Sequence, residues 1–86
     1  MEIEFSELAL KQLGNMDKHL QTLFYKHAEK LQNLPPRRHM KFGMPFNVEE
    51  VTKQARMLYD IEENTMYITR CFATHKDYEK FFTSYK

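Results

Sequence analysis

The last third of the chain, Gln54 to Lys86, constrains the fold more than any other stretch. From Val51 to Ile61 the side chains alternate: Val51, Ala55, Met57, Tyr59 and Ile61 fall to one side and Thr52, Gln54, Arg56 and Asp60 to the other. That is the period of a strand, with Leu58 out of step. Glu62-Glu63-Asn64 is turn chemistry, and Met66 to Ala73 reads as the return strand of a hairpin. Thr74-His75-Lys76-Asp77 fits a capping box, in which Thr caps a helix and an acid three residues on reaches back. Tyr78, Phe81, Phe82 and Tyr85 then recur at helical spacing, so the last helix carries an aromatic stripe that must be buried on a sheet.

The first half is helical after a short start. Glu2-Ile3-Glu4-Phe5 alternates as a strand with one buried face. Ser6 is the expected N-cap of a helix carrying Leu8, Leu10 and Leu13, which Gly14-Asn15 ends. Asn15 or Asp17 caps a second helix with the stripe Met16, Leu20, Leu23, Phe24, His27, Leu31 and Leu34, and Pro35-Pro36 stops it. Phe46 to Glu49 is a candidate strand. The expected order is β-α-α-β-β-β-α in one domain, residues 1–86. The fold class is α+β, two N-terminal helices and a C-terminal helix packed on a small antiparallel-rich sheet.

Composition narrows the function. Eighty-six residues with 42% apolar side chains support one core, and a chain this short buries roughly 60% of its surface. A single Cys71 gives neither an internal disulfide nor a metal spacing. No apolar run has membrane-spanning length, and Met1-Glu2-Ile3-Glu4 lacks the basic start of a signal peptide. The expected location is the cytoplasm. The net charge of +1 is small for a phosphate binder, but it is unevenly spread. Residues 1–34 hold four Lys and five acids, whereas residues 35–86 hold nine Lys or Arg and seven acids, so any basic surface belongs to the second half.

No metal motif is found. His19 and His27 have no third ligand, and His27 lies in the apolar stripe, where a hydrogen-bonded core role is the simpler reading. No phosphate loop, nucleophile elbow or carboxylate pair is present, and Glu49-Glu50 and Glu62-Glu63 read as solvated strand ends or turns. What remains is a cationic set: Arg37, Arg38, His39, Lys41, Lys53, Arg56, Arg70, His75 and Lys76, with Tyr59 and Tyr78 near in sequence. RNA cleavage through the 2′-hydroxyl needs a base, an acid for the leaving 5′-oxygen, and cations for the crowded phosphorane. Histidine serves either proton role at neutral pH, arginine contacts phosphate oxygens bidentately, and aromatic faces hold splayed bases. Arg56 stands out as an Arg placed mid-strand among apolar neighbours. Whether Arg70 joins it depends on the turn: an even loop within Glu62–Thr65 sets Arg70 on the opposite face, and a three-residue loop sets both on one face.

At these residues the chain resembles the RelE/ParE toxin superfamily, within it the RelE and HigB-like mRNA endonucleases. Gln54-Ala55-Arg56-Met57-Leu58-Tyr59 is similar to the family's Tyr-Arg-apolar-apolar-Tyr strand, and Thr74-His75-Lys76-Asp77-Tyr78 to its closing motif. The resemblance implies a type II toxin that cleaves mRNA on the ribosome without metal or other cofactor. It implies that Arg56 contacts the scissile phosphate, His75 is general acid or base, Lys76 stabilises charge, and Tyr78 stacks on a base or assists proton transfer. His39 and Lys41 occupy places where the family carries basic residues, and Lys53 and Arg70 complete the implied RNA-binding set. The implied partners are a cognate antitoxin, the ribosome and mRNA. Two alternatives stay open: a ParE-like toxin that binds and poisons DNA gyrase, and an inactive homologue that only binds its antitoxin.

Overall fold

A computed structural model describes residues 1–33 and 46–85. The elements follow the expected order: β1 (Glu2–Phe5), α1 (Glu7–Gly14), α2 (Lys18–Gln32), β2 (Asn47–Glu50), β3 (Arg56–Glu62), β4 (Thr65–Phe72) and α3 (His75–Tyr85). The strands form one sheet in the order β1-β4-β3-β2. β1 runs parallel to β4, and the other two pairings are antiparallel.

Both faces of the sheet are covered, which is why β3 is buried from Arg56 to Tyr59. On one face Ala9 and Leu13 of α1 and Phe24 and Ala28 of α2 meet Val51, Ala55, Met57, Tyr59, Met66, Ile68 and Cys71. On the other, Tyr78 of α3 joins Phe46, Val48, Leu58 and Phe72, with Phe81 and Phe82 packed alongside. Leu58, out of step with the alternation, therefore belongs to the second core. In α1 the buried pair is Ala9 and Leu13, one helical turn apart, while Leu8 and Leu10 are exposed. Leu8 and Leu10 lie off the turn-spaced face, so size alone does not bury them.

The helices start as their caps direct. Ser6 Oγ accepts from Ala9 N–H at 3.0 Å, and Asp17, not Asn15, caps α2 by accepting from Leu20 N–H at 2.8 Å. Thr74 Oγ1 accepts from Asp77 N–H at 3.1 Å. Asn15 is the C-cap of α1, and Gly14 is its last helical residue.

The stretch from Val51 is not one strand. Thr52 Oγ1 accepts from Gln54 N–H (3.1 Å) and Ala55 N–H (2.9 Å), and Val51 N–H donates to Ala55 O at 3.0 Å. This hydroxyl-braced turn joins β2 to β3, so β3 begins only at Arg56. Val51 and Ala55 still face the first core, which kept the strand-like pattern.

The β3–β4 hairpin turns through Glu63 and Asn64, with Glu62 opposite Thr65 and Glu63 at φ 53°. The loop is even, yet Arg56 pairs with Phe72 and Leu58 with Arg70 because the register shifts between Leu58 and Tyr59. Tyr59 pairs with Ile68 and Leu58 with Arg70, so Thr69 is the extra residue of a β-bulge. Arg56 and Arg70 thus share the α3 face. Turn length alone could not decide this; the bulge supplies the odd residue.

Phe24 is fully buried where α2 meets the sheet. Phe24→Ala is expected to lower unfolding free energy by about 3–5 kcal/mol, measured by urea denaturation.

Candidate functional site

Arg56, the first residue of β3, is buried rather than presented on an open face. Its Nη1 donates to Thr52 O (2.9 Å), Lys53 O (3.0 Å) and Ala55 O (3.0 Å). Its Nη2 lies 3.8 Å from Glu50 Oε2, a mostly exposed carboxylate on the neighbouring strand. The guanidinium thus closes the β2–β3 turn and delivers a positive charge beneath α3. Lys53 is exposed in that same turn.

The start of α3 meets this turn: His75 N–H points to Gln54 Oε1 at 3.4 Å. The His75 imidazole is about half exposed, and its Nδ1 lies 3.3 Å from Glu79 Oε1 one turn along. That contact orients the ring and leaves Nε2 as the nitrogen able to meet an incoming group. Lys76 is exposed beside it. The His75 and Tyr78 rings are 5.9 Å apart.

Tyr78 is buried, and its hydroxyl has no hydrogen-bond partner among the described residues. Burial raises its pKa above the usual phenol value, with the nearby Arg56 charge partly opposing. The phenol therefore stays protonated at neutral pH. It can donate a hydrogen bond or a proton but cannot serve as a ready base. Burying a donor without an acceptor costs about 1–3 kcal/mol, and none meets this hydroxyl among the described residues.

Arg70 is separated from this cluster by the aromatic stripe. Its guanidinium sits over the Phe81 ring, 4.5 Å from the centroid, and Phe81 in turn packs on Phe72 with centroids 5.6 Å apart. Arg56, His75, Lys76, Tyr78 and Lys53 therefore gather where the β2–β3 turn meets α3, with Arg70 farther along the same sheet face. Tyr59 belongs to the core under α1 and α2 and has no surface on which a base could stack. His39 and Lys41, with Arg37 and Arg38, lie outside the described residues.

Among the other charged groups expected to be solvated, Glu49 departs from expectation, while Glu50, Glu62 and Glu63 are exposed. Glu49 is no solvated strand end: its Oε2 meets His27 Nδ1 at 2.7 Å and Lys30 Nζ at 3.2 Å, tying β2 to α2. His27 is the hydrogen-bonded histidine the apolar stripe suggested, satisfied by Glu49. At the far end of the sheet Glu2, Glu4, Asp60, Glu62 and Glu63 cluster around the hairpin turn, and none makes a salt bridge among the described residues. Two site residues escaped sequence reasoning. Glu79 was findable from its i+4 spacing to His75. Gln54 was not, because its role rests on a contact spanning 21 positions.

These elements define the fold of RelE-type toxins. No protein-family model matches the chain, and no curated protein matches it. Solved structures do. The E. coli RelBE toxin–antitoxin complex aligns with TM-score 0.70 at 16% identity, covering 81% of this chain and 92% of that chain. A metal-bound toxin from Helicobacter pylori aligns with TM-score 0.65 at 24% identity, covering 90% and 97%. The RelB–RelE complex from Methanococcus jannaschii gives TM-score 0.65 at 13% identity, covering 91% and 96%. At these identities the likeness is one of fold, and it spans nearly the whole chain. No helix among the described residues is long and apolar enough to cross a membrane.

Because Arg56 braces a turn, Arg56→Ala should destabilise the protein by about 2 kcal/mol, whereas His75→Ala at a half-exposed position should stay within about 0.5 kcal/mol; paired denaturation curves check the contrast. Burial pushes the Cys71 thiol up to about 12 from an ordinary 9.0. A raised thiol pKa means the folded chain keeps a proton that the unfolded chain loses, so this group's contribution to stability falls as pH rises from about 9 towards 12. At pH 8 the native protein should resist iodoacetamide at Cys71 and react at once when unfolded, as read by mass spectrometry.

Proposed function

We propose that this chain is the toxin of a type II toxin–antitoxin module and that it cleaves mRNA presented on the ribosome. The observation that carries the proposal is the gathering of His75, Tyr78 and Arg56 at one junction, with Lys53 and Lys76 exposed beside them. The fold shared with RelE-type toxins supports it. A cognate antitoxin is the partner this reading requires, as the RelBE and RelB–RelE complexes pair a toxin with one.

In the reaction a ribose 2′-oxygen attacks the adjacent phosphorus while the bond from phosphorus to the 5′-oxygen breaks. The 2′-hydroxyl proton must leave and the departing 5′-oxygen must gain one, giving a 2′,3′-cyclic phosphate and a 5′-hydroxyl. In this reading His75 Nε2 carries one of these protons; the Glu79 carboxylate 3.3 Å from Nδ1 supports it. Tyr78 keeps its proton, but its hydroxyl is buried, so it donates to a phosphate oxygen or to the leaving group only when the first turn of α3 shifts. Arg56 contributes charge through Nη2, since Nη1 is committed to three backbone carbonyls. Lys76 and Lys53 add cationic charge at the rim, and Arg70 extends it along the strand. In the sequence His39 and Lys41 come before β2, β3 and β4, and the reading assigns them to RNA contact.

One observation favours a second reading. An arginine whose donors already close a turn suits a structural part as well as a catalytic one, and a toxin that binds DNA gyrase without cutting RNA would need no more from it. Induced expression with transcript-end mapping, read beside a DNA-damage reporter, separates the two. The nuclease predicts new ends inside translated mRNA, lost in His75→Ala with a fold-reduction of about a hundred or more in cutting. DNA breaks with intact transcripts would move the protein to the gyrase class.

A further inference from the structure

The bulge at Thr69 determines where Arg70 points. Continued without a shift, the ladder that pairs Tyr59 with Ile68 would set Thr69 against Leu58 and Arg70 against Met57. Arg70 would then face the core beneath α1 and α2, where Met57 and Cys71 are now buried. The extra residue turns Arg70 to the α3 face and gives its place in the core to Cys71.

What holds the bulge comes from the opposite side of the sheet. β1 pairs with β4 only as far as Phe5 opposite Ile68, because the chain turns into α1 at Ser6. Beyond that point β4 has lost its parallel partner, and two α1-side residues take over. Ser6 N–H donates to Ile68 O at 2.9 Å, and Ser6 Oγ donates to Thr69 O at 2.9 Å while it caps α1. Cys71 N–H donates to Gln12 Oε1 at 2.7 Å. The backbone is therefore gripped on both sides of Arg70, at Thr69 O and Cys71 N, by the Ser6 and Gln12 side chains. On the α3 face Thr69 Oγ1 reaches Leu58 O at 3.4 Å, and the Arg70 guanidinium settles over Phe81.

We propose that Gln12 and Ser6 are positioning residues for Arg70. They stand in for a missing strand, fix the bulge, and so aim a cation onto the face that also carries Arg56 and His75. The functional arm of this inference rests on the RNA-binding reading; the geometric arm does not.

Gln12 gives the cleaner test, since Ser6 is also a cap. Gln12→Met removes the acceptor at similar length, and Gln12→Glu keeps an acceptor oxygen. The first readout is the Nε–Hε resonance of Arg70, displaced by the Phe81 ring and assigned by its disappearance in Arg70→Lys. It should move to the ordinary arginine position in Gln12→Met and stay displaced in Gln12→Glu. The second readout is binding of a single-stranded oligouridylate across a salt series. Gln12→Met should lower affinity about tenfold, as Arg70→Ala does, and reduce the salt slope by about 0.7. In the Arg70→Ala background, Gln12→Met should cost no further affinity while still lowering the melting temperature. If Gln12→Met does not fold, Ser6→Gly, mild as a cap change, removes the Thr69 bond and should show the same shift and loss.

An Arg70 resonance that stays displaced in a folded Gln12→Met or Ser6→Gly variant overturns the proposal, leaving a contact that serves stability alone. Affinity losses that add to those of Arg70→Ala overturn it equally. Should the wild-type protein bind no oligouridylate, the affinity arm is overturned for free RNA, transcript-end mapping still judges the nuclease on the ribosome, and the resonance still decides whether Gln12 positions Arg70.

Discussion

Burial of the sheet on both faces is the constraint from which the other features follow. Met57 and Tyr59 enter the core below α1 and α2, while Leu58 between them enters the core below α3. From Arg56 to Tyr59 β3 is covered on both sides, so a charge there needs its own arrangement, whereas Asp60 and Glu62 lie beyond the covered part. Arg56 finds backbone carbonyls at the start of β3 and Arg70 finds the Phe81 ring. The cationic surface is therefore a by-product of packing as much as an addition to it.

The element order, the caps at Ser6 and Thr74, and the aromatic stripe of α3 were legible because each depends on residues within a few positions of one another. Leu58 was visible as an exception to alternation, and the second core explains why. Three features were hidden for one physical reason, that they depend on contacts distant in sequence. The bulge at Thr69 comes from a strand that ends early on the far side of β4. The burial of Tyr59 depends on which face α1 and α2 cover. The use of Arg56 as a turn brace depends on carbonyls that point inward only once Thr52 has closed the turn. Ala9 in place of Leu8 and Leu10 shows the same limit on a smaller scale, since position on the helix outweighed hydrophobicity.

The candidate site was legible as a list and not as an arrangement. His75, Lys76 and Tyr78 fall together because one helix carries them, and Arg56 joins through the turn that Gln54 links to α3. The arrangement gives the parts unequal work. His75 is oriented and accessible, Tyr78 is protonated and buried, and Arg56 is largely engaged elsewhere. The division between an accessible imidazole at the surface and a charge held beneath α3 is a property of the fold, because His75 opens that helix and Arg56 lies under it.

The acidic hairpin gives the charge distribution a second meaning. Glu2, Glu4, Asp60, Glu62 and Glu63 lie at one end of β3 and β4, and Lys53, Arg56, His75 and Lys76 at the other. The cationic end carries both signs, with Glu50 beside Arg56, Glu79 beside His75 and Asp77 next to Lys76, whereas the described hairpin end is acidic throughout. Any polyanion is repelled at the hairpin end, where the carboxylates stand without ion-pair partners among the described residues. The same acidic tip also discourages edge-to-edge pairing of one sheet with another, since two such ends would meet with like charge.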